Sequence, residues 1–152
     1  MEYNEIKGDL ITLANNNMFD IIVHGCNCFC KMARGLAPQM AEAFGCNLFE
    51  LENEKYKGDI NKLGQIDYHT NMFNFTVVNA YTQYHWSTET KPLDYEALTL
   101  CLRKINHIFN GKHIGLPQIG CHLAGGDWNI VKEIIKKELK DCKVTIVIYD
   151  KN

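Results

Sequence analysis

Two stretches of this chain concentrate the residue types that do chemistry. In residues 21–36, three β-branched apolar residues, Ile21, Ile22 and Val23, give way to His24, Gly25, Cys26 and Asn27, then to Lys31, Ala33, Arg34 and Gly35 before Leu36. In the second stretch, Ile114-Gly115-Leu116-Pro117-Gln118-Ile119 runs into Gly120, Cys121, His122, Leu123, Ala124, Gly125 and Gly126, with Asp127 directly after. A strand, a loop of small residues and then a helix turn backbone N–H groups and a helix N-terminus toward an anion. A diphosphate needs several donors at close approach, and only glycine or very small residues let the backbone come that near. Two such loops in one chain point to a phosphate-bearing ligand held between them. Asp9 adds a carboxylate at a strand-to-turn junction, where such groups cap local amides. Its functional alternative is to accept a hydrogen bond from an exocyclic amine such as that of adenine.

The seven cysteines are odd in number and scattered through strands, helices and loops, which reads as reduced thiols and not as a disulfide framework. Cys26, Cys28 and Cys30 beside His24 raise the question of a metal. Zinc sites space their thiolates by two to four residues, whereas alternate positions of an extended chain spread the sulfurs apart. The three are therefore read as small apolar side chains, and neither metal nor cofactor is expected.

The rest of the composition narrows the partners. With 22% charged residues and a net charge of −2, no basic field draws nucleic acid or an anionic membrane. No apolar run approaches the ~20 residues of a membrane span. The first ten residues do not read as a signal peptide, so the cytoplasm of a cell or an infected host is expected. At 152 residues the chain reads as one domain, residues 1–152, and as a monomer.

The elements that position the two loops follow from pattern. A strand opens the chain over residues 1–6, and residues 12–20 read as a polar, Asn-rich connection into the strand at Ile21. Helices are expected over 36–44 and 48–56, and a hairpin over 65–69 and 75–83 with its turn at 71–74. Tyr84, His85 and Trp86 read as an aromatic cluster closing a core edge. Pro92 opens the longest helix, 93–109, whose apolar stripe includes Leu98, Cys101, Leu102 and Ile105. A strand over 113–119, a helix capped by Asp127 and a nearly continuous apolar strand over 144–149 complete the order β, β, α, α, β, β, α, β, α, β. That order predicts a three-layer α/β/α domain on a mixed, mostly parallel sheet.

Five pieces in sequence order carry a resemblance. They are Lys7-Gly8-Asp9-Leu10, Ile22-Val23-His24-Gly25-Cys26-Asn27, Gly35-Leu36-Ala37, Val78-Asn79-Ala80-Tyr81-Thr82-Gln83, and Pro117-Gln118-Ile119-Gly120-Cys121 through Ala124-Gly125-Gly126-Asp127-Trp128. Together they resemble a macro domain, most closely the ADP-ribose 1''-phosphate phosphatase branch with its small phage-type members. The resemblance implies ADP-ribose or a derivative as ligand. Asp9 and Leu10 would meet the adenine, with Tyr149 against the ring, and Asn27 would lie near the distal ribose. The loop through Lys31, Ala33, Arg34, Gly35 and Leu36 and the loop Gly120, Cys121, His122, Leu123, Ala124, Gly125 and Gly126 would grip the diphosphate and distal ribose.

The same resemblance implies hydrolysis at the distal ribose, with phosphate as the leaving group. His24 would serve as general acid, Asp127 would orient the attacking water, and His122 is a further catalytic candidate. Two positions depart from the branch: Ala33 stands where glycine is usual, and His122 where a small residue is usual. The lysine nucleophile of one hydrolase branch is also missing from residues 75–83. The alternatives are a non-catalytic module for ADP-ribose or an ADP-ribose-derived signal nucleotide, and an ADP-ribosyl-protein hydrolase with an ADP-ribosylated protein as partner.

Overall fold

A computed structural model describes residues 2–29, 36–44, 58–70, 75–85, 92–121 and 124–150, except the side chains at 37, 38 and 41. Its strands are β1 (Glu2–Gly8), β2 (Ile21–Asn27), β3 (Ile66–Thr70), β4 (Thr76–Gln83), β5 (His113–Leu116) and β6 (Lys143–Tyr149). Its helices are α1 (Leu10–Asn15), α2 (Ala37–Phe44), α3 (Tyr95–Ile108) and α4 (Trp128–Glu138), with a 3₁₀ turn at Ile60–Lys62. The sheet order is β1-β6-β5-β2-β4-β3. Every neighbouring pair is parallel except β3–β4, which is the expected hairpin.

Strand alternation sorts the core into two layers. Ile21, Val23, Val78, Ala80, Ile114, Leu116, Val144 and Ile146 face Leu98, Cys101, Leu102 and Ile105 of α3 and Val131 and Ile135 of α4. On the other side Ile22, Val77 and Val147 meet Leu10 and Ala14 of α1, Phe19, and Met40 and Phe44 of α2. Helices thus cover both faces, as the three-layer reading expects. β6, between β1 and β5, sends Val144 and Ile146 into one layer and Val147 into the other, the covering on both faces that its run of apolar residues anticipates.

Three boundaries differ from the sequence reading. Residues 12–20 do not form a simple connection, because α1 occupies Leu10–Asn15. Asp9 caps it, Leu10 and Ala14 bury one face, and Asn17 at φ 60° ends the segment. Pro92 does not open α3. Leu93 is held extended by a bridge to Gln83, and Asp94 caps the helix by accepting from Ala97 N at 2.9 Å. The strand at His113 stops at Leu116, because Ile119 N turns back onto the Pro117 carbonyl at 2.8 Å. The helix expected over 48–56, the turn at 71–74 and Trp86 lie outside the described residues. Among the described residues, no helix is long and apolar enough to cross a membrane.

Candidate functional site

The chain reverses direction across the sheet between β2 and β5. After β2 it passes through α2 on one face toward β3 and β4. After β5 it passes through α4 on the other face toward β6. Ligands of open α/β sheets collect at such a switch point, outside the carboxyl ends of the strands. All of β2 pairs with β4, but β2 pairs with β5 only at Ile21↔Ile114 and Ile22↔Gly115. Beyond Gly115 the β2–β5 ladder ends, and Ile119 from the chain after β5 packs against Gly25 of β2.

Because β1, β6, β5 and β2 run parallel, their carboxyl ends share one edge. Asp9 stands at the end of β1 and Tyr149 at the end of β6, paired Gly8↔Tyr149 and joined by Asp150 N donating to the Gly8 carbonyl at 3.2 Å. Residues 117–126 follow β5, and Asn27 closes β2. Four adjacent strands at the usual spacing set Asp9 roughly 14 Å from Asn27 across the edge, about the reach of a nucleotide diphosphate sugar. Residues 117–121 and 124–126 of the second loop therefore fall on the same edge as Asp9, Tyr149 and Asn27.

Asp9 is an N-cap: its Oδ1 accepts from Thr12 N at 3.0 Å, and its second oxygen takes no hydrogen bond among the described residues. Leu10 behind it is buried, whereas Tyr149 is 60% exposed beside it. Asn27 Oδ1 accepts from Phe29 N at 3.0 Å, so the side chain is anchored where the strand ends. The chain then turns at Cys28, whose N–H donates to Gln83 O and Tyr84 O, while Phe29 packs edge-on against Tyr84 and His85. Two members of the aromatic cluster thus pack on Phe29, with Tyr84 left exposed. Leu36 packs its side chain into the layer beneath α2 and accepts from Met40 N. Lys31, Ala33, Arg34, Gly35, His122 and Leu123 lie outside the described residues.

His24 lies deeper than a residue facing open solvent. Only 1% exposed, it donates through Nε2 to Asn79 Oδ1 inside the sheet. Asn79 passes the connection on: its Nδ2 donates to Asp67 Oδ1 at 2.9 Å, and Tyr81 OH donates to the other Asp67 oxygen at 2.6 Å. Burial pushes the imidazole down to about 4, against the opposing pull of the Asn79 bond. A neutral histidine inside the sheet is not placed to act as a general acid on a ligand; it belongs to a buried polar network that joins β2, β3 and β4. Gly25 separates it from the opposite layer, and an ideal Cβ there would lie 3.0 Å from Thr82 Oγ1 and 3.3 Å from Ile119. Thr82 is fully buried, and its hydroxyl has no hydrogen-bond partner among the described residues.

The loop after β5 also departs from the simple anion cradle. Gly126 N donates to Gly120 O at 2.8 Å, and Cys121 N donates to Gln118 O at 3.1 Å, so neither amide is available to a ligand as placed. The amides of Gly120, Ala124 and Gly125 make no hydrogen bond among the described residues. Gly120 and Gly125 adopt φ of 73° and 72°, where glycine is favoured. Leu93 supplies a second reason for glycine at 120 and 126. A Cβ on Gly120 would meet Leu93 Cδ1 at 2.6 Å, and one on Gly126 would collide with Leu93 Cδ2 and sit 2.7 Å from Gly120 O. No local sequence pattern links residue 93 to 120 and 126, so Leu93 is absent from the sequence-based site.

Asp127 begins α4, with Oδ1 accepting from Asn129 N at 2.9 Å while its own N–H donates to Tyr95 OH at 3.0 Å. Burial, and then the Asp127 charge, pushes the Cys121 thiol up to about 11, so it stays protonated and is no nucleophile. Cys26 and Cys28 pack with Tyr81 and Leu63 as small apolar side chains. Cys30 and Cys46 lie outside the described residues.

Fold and topology together define an α/β/α domain whose sheet has a topological switch between β2 and β5. A family model for the macro domain matches residues 23–135, and this chain belongs to the macro domain family. It is 30% identical over 149 residues, 95% of this chain and 94% of the relative, to the uncharacterized 17.5 kDa protein of the tk-vs intergenic region of Enterobacteria phage T4. Among solved structures it resembles the macrodomain of Mycobacterium tuberculosis DarG, with a TM-score of 0.74, 19% identity and coverage of 95% of this chain and 96% of that one. It also resembles Thermosipho africanus DarTG in complex with ADP-ribose, with a TM-score of 0.78 and 17% identity, covering 97% of this chain and 42% of that one.

Proposed function

We propose that this chain binds ADP-ribose along the shared strand edge and hydrolyses a group from the distal ribose, most simply the phosphate of ADP-ribose 1''-phosphate. The observation that carries the reading is the topological switch between β2 and β5, with Asp9 and Asn27 at opposite ends of the same edge. Membership of the macro domain family and the ADP-ribose complex of a structural neighbour support the choice of ligand.

In this reading the second oxygen of Asp9 accepts from the adenine amine, and the exposed Tyr149 ring lies against the base. The open amides of Gly120, Ala124 and Gly125 face the diphosphate. Asn27 meets the distal ribose. Asp127, one oxygen engaged in its cap, uses the other to orient water. The water oxygen attacks phosphorus, its proton passes to the Asp127 carboxylate, and the P–O bond to the ribose 1'' oxygen breaks, that oxygen keeping the bonding pair and taking its proton from solvent. His24 takes no part as acid.

Asp127→Asn isolates the chemistry, because asparagine caps as well as aspartate. ADP-ribose should bind the variant as it binds the wild type, while phosphate release slows by roughly 10²-fold or more. Equal rates for the two proteins refute the assignment of Asp127. The withdrawal of His24 into the sheet favours a second reading, a domain that holds ADP-ribose without turning it over. Calorimetric binding of ADP-ribose with no phosphate release by the wild type selects that reading. Failure to bind either ADP-ribose or AMP overturns both.

A further inference from the structure

Residues 92–94 form a strap that ties the end of β4 to the loop after β5. Leu93 pairs with Gln83, Asp94 N donates to Thr82 O at 2.9 Å, and Leu93 N donates to Ala124 O at 3.2 Å. The Leu93 side chain packs against the core beneath α3 and α4, and its two methyl groups fill the space where Gly120 and Gly126 would carry Cβ atoms. Those glycines are the two ends of the loop, joined by the Gly126 N to Gly120 O bond. One side chain therefore sits under both ends of a closed backbone ring, and its own amide holds the carbonyl at Ala124, between the ring's two ends.

We infer that Leu93 is a positioning residue for anion binding: it sets the ring so that the amides of Ala124 and Gly125 stay open toward the ligand. The inference rests on the ADP-ribose reading for its ligand, but its mechanical half does not. The Ala124 carbonyl is fixed by the strap, and that bond orients the peptide unit whose N–H belongs to Gly125. Removing the side chain leaves the ring unsupported at both closing residues, and the open amides lose their common direction. Truncation at 93 therefore disturbs contacts at the diphosphate and distal ribose and leaves the adenine end alone.

The test compares wild type, Leu93→Ala and Leu93→Met by calorimetry with ADP-ribose and AMP, and by amide exchange at Gly126. Leu93→Met keeps the volume and guards against a general loss of fold. Losing alignment at one or two charge-assisted amide contacts should weaken ADP-ribose binding by Leu93→Ala roughly 10- to 100-fold. AMP binding should stay within about twofold, and Leu93→Met should return most of the ADP-ribose affinity. Exchange at Gly126 should speed up in Leu93→Ala more than exchange in the β4 and β6 core amides. A Leu93→Ala protein that melts lower but binds ADP-ribose as tightly as wild type overturns the inference and leaves the ADP-ribose reading standing. A wild type that does not bind ADP-ribose overturns that reading instead. Gly126 exchange then decides the mechanical half: selective acceleration supports it, and unchanged exchange refutes it.

Discussion

Asp9 performs one duty visibly and is assigned another, and asparagine separates the two. Its Oδ1 caps α1 by accepting from Thr12 N at 3.0 Å. Asparagine ranks with aspartate at this position, so Asp9→Asn keeps the cap. The lost charge at the start of a six-residue helix should cost about 0.3–1 kcal/mol. At the adenine the change is larger: an acceptor facing the exocyclic N–H becomes a donor facing a donor. A hydrogen bond to a charged acceptor contributes about 1.5–3 kcal/mol, so the Kd for ADP-ribose should rise roughly 10- to 150-fold. The analogue carrying hypoxanthine presents a 6-oxo acceptor in place of the amine. It should bind the wild type poorly and Asp9→Asn better, so that the preference between the two bases inverts. Asp9→Ala removes cap and contact together, adding about 1 kcal/mol of destabilisation. Calorimetry with both ligands, beside thermal unfolding of each variant, measures all of this. Wild-type affinity in Asp9→Asn, or no change in base preference, refutes the placement of adenine at Asp9.

Three further outcomes follow from the geometry. An imidazole at about 4 in the fold against 6.5 unfolded means that the unfolded chain binds the proton first as pH falls. His24 therefore supports the fold fully above pH 6.5 and loses roughly 3 kcal/mol of support between pH 6.5 and 4. Denaturant titrations of wild type and His24→Gln across that range should diverge by this amount, and parallel curves contradict it. Gly115→Ala would place a Cβ 2.8 Å from the buried Phe19 ring and should cost about 1–3 kcal/mol in urea unfolding, part of it recovered by adding Phe19→Leu. Gly120→Ala costs both its left-handed conformation and its collision with Leu93. In a Leu93→Ala background only the conformational cost of about 1–2 kcal/mol remains, and a double-mutant cycle that is additive within 0.5 kcal/mol shows that the two sites do not touch.

The architecture was legible because its periodicities are strong. The stripe of α3 answers to one period and one buried face, and the apolar runs of β2 and β6 answer to burial on both faces. The hairpin β3–β4 is legible as two strand-like runs joined by a turn at residues 71–74. The first helix was missed because six residues span less than two turns, and only Leu10 and Ala14 mark its buried side. Pro92 misled because a proline compatible with a first helical turn is equally compatible with an extended strap, and the bridge from Leu93 to Gln83 decides between them. At the site, the strand ends and the end-capping aspartates were readable. The burial of His24 was not, since its partner Asn79 lies 55 positions away. The glycines at 120 and 126 were recognised by type but given only half their reason, because steric contact with Leu93 is set by tertiary packing and leaves no local trace.

The pairing of β1 with β6 has a consequence for how the molecule is made. Glu2 aligns with Lys143 and Gly8 with Tyr149, so β1 leaves the ribosome well over a hundred residues before β6, its neighbour among the described strands. At about 5–20 residues per second, that wait lasts roughly seven to thirty seconds. During it, a seven-residue segment with an unsatisfied row of amides is open to foreign strands. The charges on Glu2, Glu5 and Lys7 discourage such adhesion, which makes this edge a guarded one throughout synthesis.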